Sequence, residues 1–210
     1  MSTKHRAACE LNGGAKRCLC NATWLQVSLG LGLLVVVVEI AGSWYADSLA
    51  LLADAAHTLL DALFYGFAIY VQRRLYARPE EDERAWEDRA SAWNGALFVL
   101  VAAGILFEAV RRGGEVSVDT AVMGWVAFAG LVLNLGQFAI LRLGARNRTN
   151  QQVNTHNLAD AAQSAAVCLA ALLAWLGVAT PGFLDGVAST AIAVYLAYQG
   201  IAALRGRHHH

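Results

Sequence analysis

Six long apolar runs separated by short polar stretches set the pattern of the chain: Trp24 to Tyr45, Leu49 to Val71, Ala92 to Val110, Ala121 to Leu141, Ala162 to Val178 and Phe183 to Leu204. Each is near the ~20 residues that a helix needs to cross about 30 Å of hydrocarbon. The pattern therefore predicts an all-α integral membrane protein, a six-helix bundle spanning residues 24–204. The first run is longer than a secretory h-region and no small-residue cleavage pattern follows it, so it reads as a retained span. Between the second and third runs, RRLYARPEEDERAWEDR (Arg73 to Arg89) mixes charges and restarts after Pro79, as a solvated connector does.

Composition agrees. Of 210 residues, 57% are hydrophobic and 15% charged, too apolar for a water-soluble domain of this size. In a model with both termini inside, fourteen Lys and Arg lie on the inner side and only Arg111 and Arg112 on the outer. The positive-inside rule thus predicts an N-in, C-in bundle, with the lipid bilayer as its surroundings and the inner membrane of a bacterium as the expected location. The formal net charge is zero, and no broad basic field points to nucleic acid. Four cysteines are too few for a disulfide scaffold. Cys9, Cys18 and Cys20 with His5, in the 1–23 tail, match no zinc spacing. The chain stops at RGRHHH (205–210), which resembles the stub of a purification tag or a short native end; a membrane unit without a soluble domain is the expectation.

The polar residues inside the apolar runs change the picture from bundle to site. Within DAAHTLLD, His57 and Asp61 are four apart, about 40° around a helix and about 6 Å along it, so they share a face. Asp54 stands one turn earlier on that face. The fifth run repeats the spacing in THNLADAAQS, with His156 and Asp160 four apart and Gln163 a turn further. Apart from His5 and the three terminal residues, these are the only histidines in the chain. An Asp at mid-bilayer costs about 2.5–3.5 kcal/mol on insertion scales. Polar glue between helices is the structural alternative, but such contacts average only about 0.6 kcal/mol. Two imidazoles and two carboxylates suit tetrahedral Zn²⁺, with Co²⁺ or Cd²⁺ also acceptable, and they make a divalent ion formally neutral in low dielectric.

Counting from Leu49, His57 and Asp61 lie about 12 and 18 Å down their helix. For His156 and Asp160 to reach that depth, the fifth helix must begin near Asn147, so NRTNQQVN is expected to be largely helical. The other intramembrane polar residues have open roles. Asp54 is an orienting or pathway residue, or an interhelical cap. Glu39 must be protonated, paired or in water, and is a pathway candidate. Asp47 and Asp185 sit at predicted outer ends, where they cap helices or meet cations. Asn134 reads as an interhelical hydrogen bonder or pathway residue, and Glu108 with Arg112 as a helix-end ion pair.

EIAGSWYADSLALLADAAHTLLD and HNLADAAQSAAV, with FEAVRR, GLVLNL and DGVAS, resemble the cation diffusion facilitators, a family of zinc/proton antiporters. The resemblance implies that His57, Asp61, His156 and Asp160 form the transport site, that the protein is a homodimer, and that it exports metal by alternating between inward and outward states. The paired His-Asp pattern resembles the zinc-preferring branch; other branches move Cd²⁺, Co²⁺, Mn²⁺ or Fe²⁺. Most members also carry a cytoplasmic C-terminal domain, which has no counterpart in this sequence. Because the ligands must be free of protons to bind metal, protons and metal compete for them, and competition gives exchange. A membrane zinc enzyme is the rival from another class, yet the chain has no HExxH. A metal sensor or scaffold is the third reading.

Overall fold

The computed structural model describes residues 20–77, 83–142 and 148–205. Among them are six α-helices: α1 (Cys20–Ala46), α2 (Leu49–Ala77), α3 (Glu83–Arg112), α4 (Thr120–Leu141), α5 (Arg148–Trp175) and α6 (Pro181–Leu204). Each contains a segment long and apolar enough to cross a membrane. The tail residues His5, Cys9 and Cys18 lie outside the described residues.

Two helix starts differ from the hydropathy pattern. α5 begins at Arg148, as the depth of His156 requires; Asn147 itself lies outside the described residues. α3 begins at Glu83 rather than Ala92, and α2 runs on to Ala77. The expected connector of residues 73–89 is therefore mostly helix, and only residues 78–82 of it lie outside the described ones. The reason is physical: hydropathy reports which residues can enter lipid, whereas Glu, Arg and Ala keep a helix going beyond it.

α2 is the most buried of the six and touches all five others, while α3 packs chiefly on α6, α4 packs on both α1 and α5, and α5 also packs on α6. The hydrophobic effect does not draw helices together in lipid, so close approach and dispersion must. A Cβ on Gly95 of α3 would stand 2.7 Å from the Gly200 carbonyl oxygen of α6, so the two backbones are nearly in contact. Large apolar side chains such as Phe107, Val110 and Trp125 point outward, as lipid-facing positions should.

The helix ends near the α1–α2 turn are fixed by specific caps. Asp119 Oδ1 accepts from the amides of Ala121 and Val122 at 3.0 Å each, starting α4. Its own amide donates to Ala46 O at the end of α1 (3.0 Å). Thr180 caps α6 with Pro181 in the first turn. α2 is capped by another helix: Asp185 of α6 accepts from Ser48 Oγ (2.6 Å), Leu49 N (2.9 Å) and Ala50 N (3.0 Å).

Asp185 thus caps a helix, but not its own. Asp47 is not a cap. It takes the left-handed turn between α1 and α2 at φ 51°, which Asp tolerates better than most side chains. Arg112 holds it there, with Nη1 2.9 Å from its carbonyl oxygen and 3.1 Å from its carboxylate. The same guanidinium bonds Glu108 through Nε at 3.0 Å, so the expected helix-end pair is one side of a bridge between two helix ends.

Candidate metal centre

α2 and α5 carry the two HxxxD pairs, and the bundle brings them face to face at one depth. His57 Nε2 lies 3.7 Å from Asp61 Oδ2 and 3.6 Å from Asp160 Oδ1. His156 Nδ1 lies 3.3 Å from Asp61 Oδ2. His57, Asp61 and His156 each offer a ligand atom within 4.8 Å of the others, and Asp160 joins through His57. Donors about 2.0–2.1 Å from a tetrahedral Zn²⁺ stand about 3.3–3.4 Å apart; the His156–Asp61 separation matches this, and the two involving His57 are about 0.2–0.4 Å longer.

The donors also lack other occupation. Both Asp61 oxygens, Asp160 Oδ1, His57 Nε2 and His156 Nδ1 are buried without a hydrogen-bond partner. Native interiors rarely leave one such atom unsatisfied, and these five, two nitrogens and three carboxylate oxygens, converge in one place with a donor set suited to a cation. Three of the four side chains are enclosed, whereas His156 is 24% exposed.

Around it stands a supporting layer. Gln163, one turn from Asp160, contacts His57 Nδ1 through its amide. With the amide turned so that Oε1, otherwise unpartnered, accepts from Nδ1–H, the Nε2 lone pair of His57 is left facing the two carboxylates; the neighbour of one ring nitrogen sets the tautomer at the other. Phe98 from α3 and Tyr195 from α6 wall the imidazole, with ring centroids at 5.5 and 5.9 Å.

Tyr65 and Asn157, unremarked in the sequence, close the lower side: Tyr65 OH donates to Asn157 Oδ1 at 2.9 Å. A signal existed, because Tyr65 stands four residues past Asp61 and Asn157 adjoins His156. Ser164, four past Asp160, was missed as well. Its hydroxyl donates to Asp54 Oδ2 at 2.8 Å and accepts from Asn134 Nδ2 at 3.4 Å.

The remaining candidates fall outside the ligand shell. Asp54 and Glu39 are both fully buried, and Asp54 stands one turn nearer the α1–α2 turn than His57. Asn134 hydrogen-bonds between helices, and Asp47 and Asp185 serve the turn and cap already described.

Comparison with known proteins covers the same ground. The profile of the cation efflux transmembrane domain matches residues 25–206. A cadmium, cobalt and zinc/H(+)-K(+) antiporter of Bacillus subtilis is 27% identical over 177 residues, 79% of this chain and 55% of its own length. The zinc transporter ZitB of Yersinia pestis is 31% identical over 186 residues, 84% of this chain and 58% of that protein. The metal cation efflux system protein CzcD of Cupriavidus metallidurans is 31% identical over 136 residues, 62% and 43% of the respective chains. The chain spans about half the length of these relatives. With one domain profile running from the first helix to the last and taking in both HxxxD pairs, the chain belongs to the cation efflux family.

Proposed function

We propose that the protein is a divalent-cation/proton antiporter that exports Zn²⁺ from the cytoplasm, with His57, Asp61, His156 and Asp160 as ligands of the transported ion. The observation that carries this reading is the set of separations of 3.3, 3.6 and 3.7 Å between buried donors that no hydrogen bond satisfies. Two nitrogens and two carboxylate oxygens suit zinc, and suit Cd²⁺ and Co²⁺ nearly as well. The names of the relatives, zinc transporter and cadmium, cobalt and zinc antiporter, support the same cargo and favour transport over hydrolysis.

In this reading Zn²⁺ enters from the cytoplasmic side as the four groups give up protons. The bundle rocks, and protons from the other side displace the ion and return on the same groups, since metal and proton cannot occupy one lone pair. Gln163 is the positioning residue for His57. The N-in, C-in orientation follows from the Lys and Arg count. A homodimer is part of the proposal too: the outward face of α3, with Leu100, Phe107 and Val110, needs apolar cover that lipid or a second copy supplies.

The test is zinc entry into proteoliposomes under an imposed pH gradient, read by an internal fluorescent reporter. Saturable entry that follows the gradient is expected, with His57→Ala and Asp61→Ala abolishing it. Undiminished flux in either variant would remove these residues from the site.

A further inference from the structure

Beside the ligand cluster lies a second group of buried polar side chains that metal binding does not use. Glu39 of α1 and Asp54 of α2 stand at matching depth, seven residues before the end of α1 and five after the start of α2, and both carboxyl groups converge on Ser164, whose hydroxyl donates to Asp54 Oδ2 at 2.8 Å and shares with Glu39 Oε1 the space beside Gly130. Both residues are 0% exposed. Neither oxygen of Glu39 has a hydrogen-bond partner, nor does Asp54 Oδ1, while Asp54 Oδ2 accepts from Ser164. Two acceptor-only groups facing one another in low dielectric repel unless something positive lies between them. No Lys or Arg is buried among the described residues.

The surroundings make room for this convergence. A Cβ on Gly130 of α4 would stand 2.5 Å from Glu39 Oε1 and 3.3 Å from Ser164 Oγ, so glycine leaves the carboxyl group room where it stands. From Ser164 the polar contacts continue through Asn134 to Gln137 (3.5 Å) and on to Ser28 (3.2 Å), all of them buried. Ser28 lies eleven residues before Glu39 on α1, about 16 Å towards the end of the bundle opposite the α1–α2 turn. The titratable groups whose charge reaches the pair are Asp160 and Cys168, both from α5. α4 presents none, only Gly130, Asn134 and Gln137.

We propose that Glu39 and Asp54 form a proton-binding site distinct from the metal ligands, in which a proton is held between the two carboxyl groups. The pair is a poorer zinc site than the HxxxD cluster, because it offers only oxygens and none of the nitrogen ligands that favour zinc. The position suits a part in exchange. Asp54 is one turn from His57, and Ser164 one turn from Asp160, so the Ser164–Asp54 bond joins the two ligand-bearing helices and answers to the charge on Asp54. Proton binding stands by itself; its part in transport rests on the antiport reading.

The experiment is infrared spectroscopy of the full chain in lipid, in the background of Asp61→Asn with Asp160→Asn, which removes the ligand carboxyls. A protonated-carboxyl C=O band is expected near neutral pH, abolished by Glu39→Gln and by Asp54→Asn and displaced but retained in Ser164→Ala. Two substitutions on different helices guard against one that fails to fold. A band absent at every pH, or unchanged by both substitutions, would overturn the site. In otherwise wild-type protein, Glu39→Gln is expected to keep zinc moving while lowering proton counterflow by about one per ion; an unchanged ratio would remove the pair from coupling. Absence of zinc flux in the wild type would end the antiport reading and leave the band's assignment intact.

Discussion

Replacing Asp61 by asparagine tests the centre at its most concentrated point, since Asp61 faces both imidazoles, 3.7 Å from His57 and 3.3 Å from His156. The exchange keeps the size and removes one charge. A divalent ion held by two carboxylates and two neutral imidazoles is formally neutral; with one carboxylate the filled centre carries a net positive charge in an enclosed site. An uncompensated buried charge costs about 3–5 kcal/mol, which is about 150- to 5,000-fold in Kd.

Without metal the effect reverses. Neither carboxylate oxygen of Asp61 has a hydrogen-bond partner, so neutralising it relieves the empty protein, and Tm in chelator should hold or rise. Ligand at a hundred times Kd stabilises by about 2.7 kcal/mol; the wild type should gain this with zinc and the asparagine variant should not. Calorimetric melting in micelles with and without zinc, alongside isothermal titration, reads both quantities. A zinc Kd within about threefold of the wild type, with the metal-dependent rise in Tm intact, would refute the four-ligand centre.

Gln163→Ala should weaken zinc binding by about 10–100-fold, the ordinary cost of losing the group that orients a histidine ligand, and titration calorimetry checks it. Asp185→Ala leaves Ser48 Oγ and the amides of Leu49 and Ala50 without their acceptor; at about 1–3 kcal/mol for each buried group the loss should exceed about 2 kcal/mol in denaturant titration, with Asp185→Asn recovering part of it. Gly95→Ala places a methyl 2.7 Å from Gly200 O, an overpacking that should cost about 1–3 kcal/mol, whereas alanine at Gly104, inside α3 with nothing within 4 Å of its Cβ, should raise stability by about 0.5–1 kcal/mol.

The spans and the opposed HxxxD pairs were legible because both depend on local rules: an apolar run must be long enough for lipid, and residues four apart must share a face. The start of α5 at Arg148 was legible for a different reason, since two pairs of ligands must meet at one depth. What escaped were relations that only the packed bundle creates. Nothing around Asp185 shows that it caps a helix starting 136 residues earlier. Ser164 is a small hydroxyl of a kind common in membrane helices, and its importance comes from the carboxyl group opposite. Tyr65, four past Asp61, and Asn157, three before Asp160, share the faces of those carboxylates and were within reach of the same periodicity. The helical extension of α3 back to Glu83 was hidden because mixed charge serves a solvated helix and a loop equally well.

The cap on α2 has a mechanical consequence. Three bonds from one carboxylate fix the start of α2 to the second turn of α6, and a slide of one residue, about 1.5 Å, would break them together. A helix pinned at one end moves as a lever, with travel proportional to distance from the fulcrum. For a tilt of about 10° around the cap, His57 at about 12 Å would swing about 2 Å and Asp61 at about 18 Å about 3 Å. The two proposed ligands on α2 would then be displaced unequally, Asp61 further than His57, and the far end of the helix would sweep the widest arc.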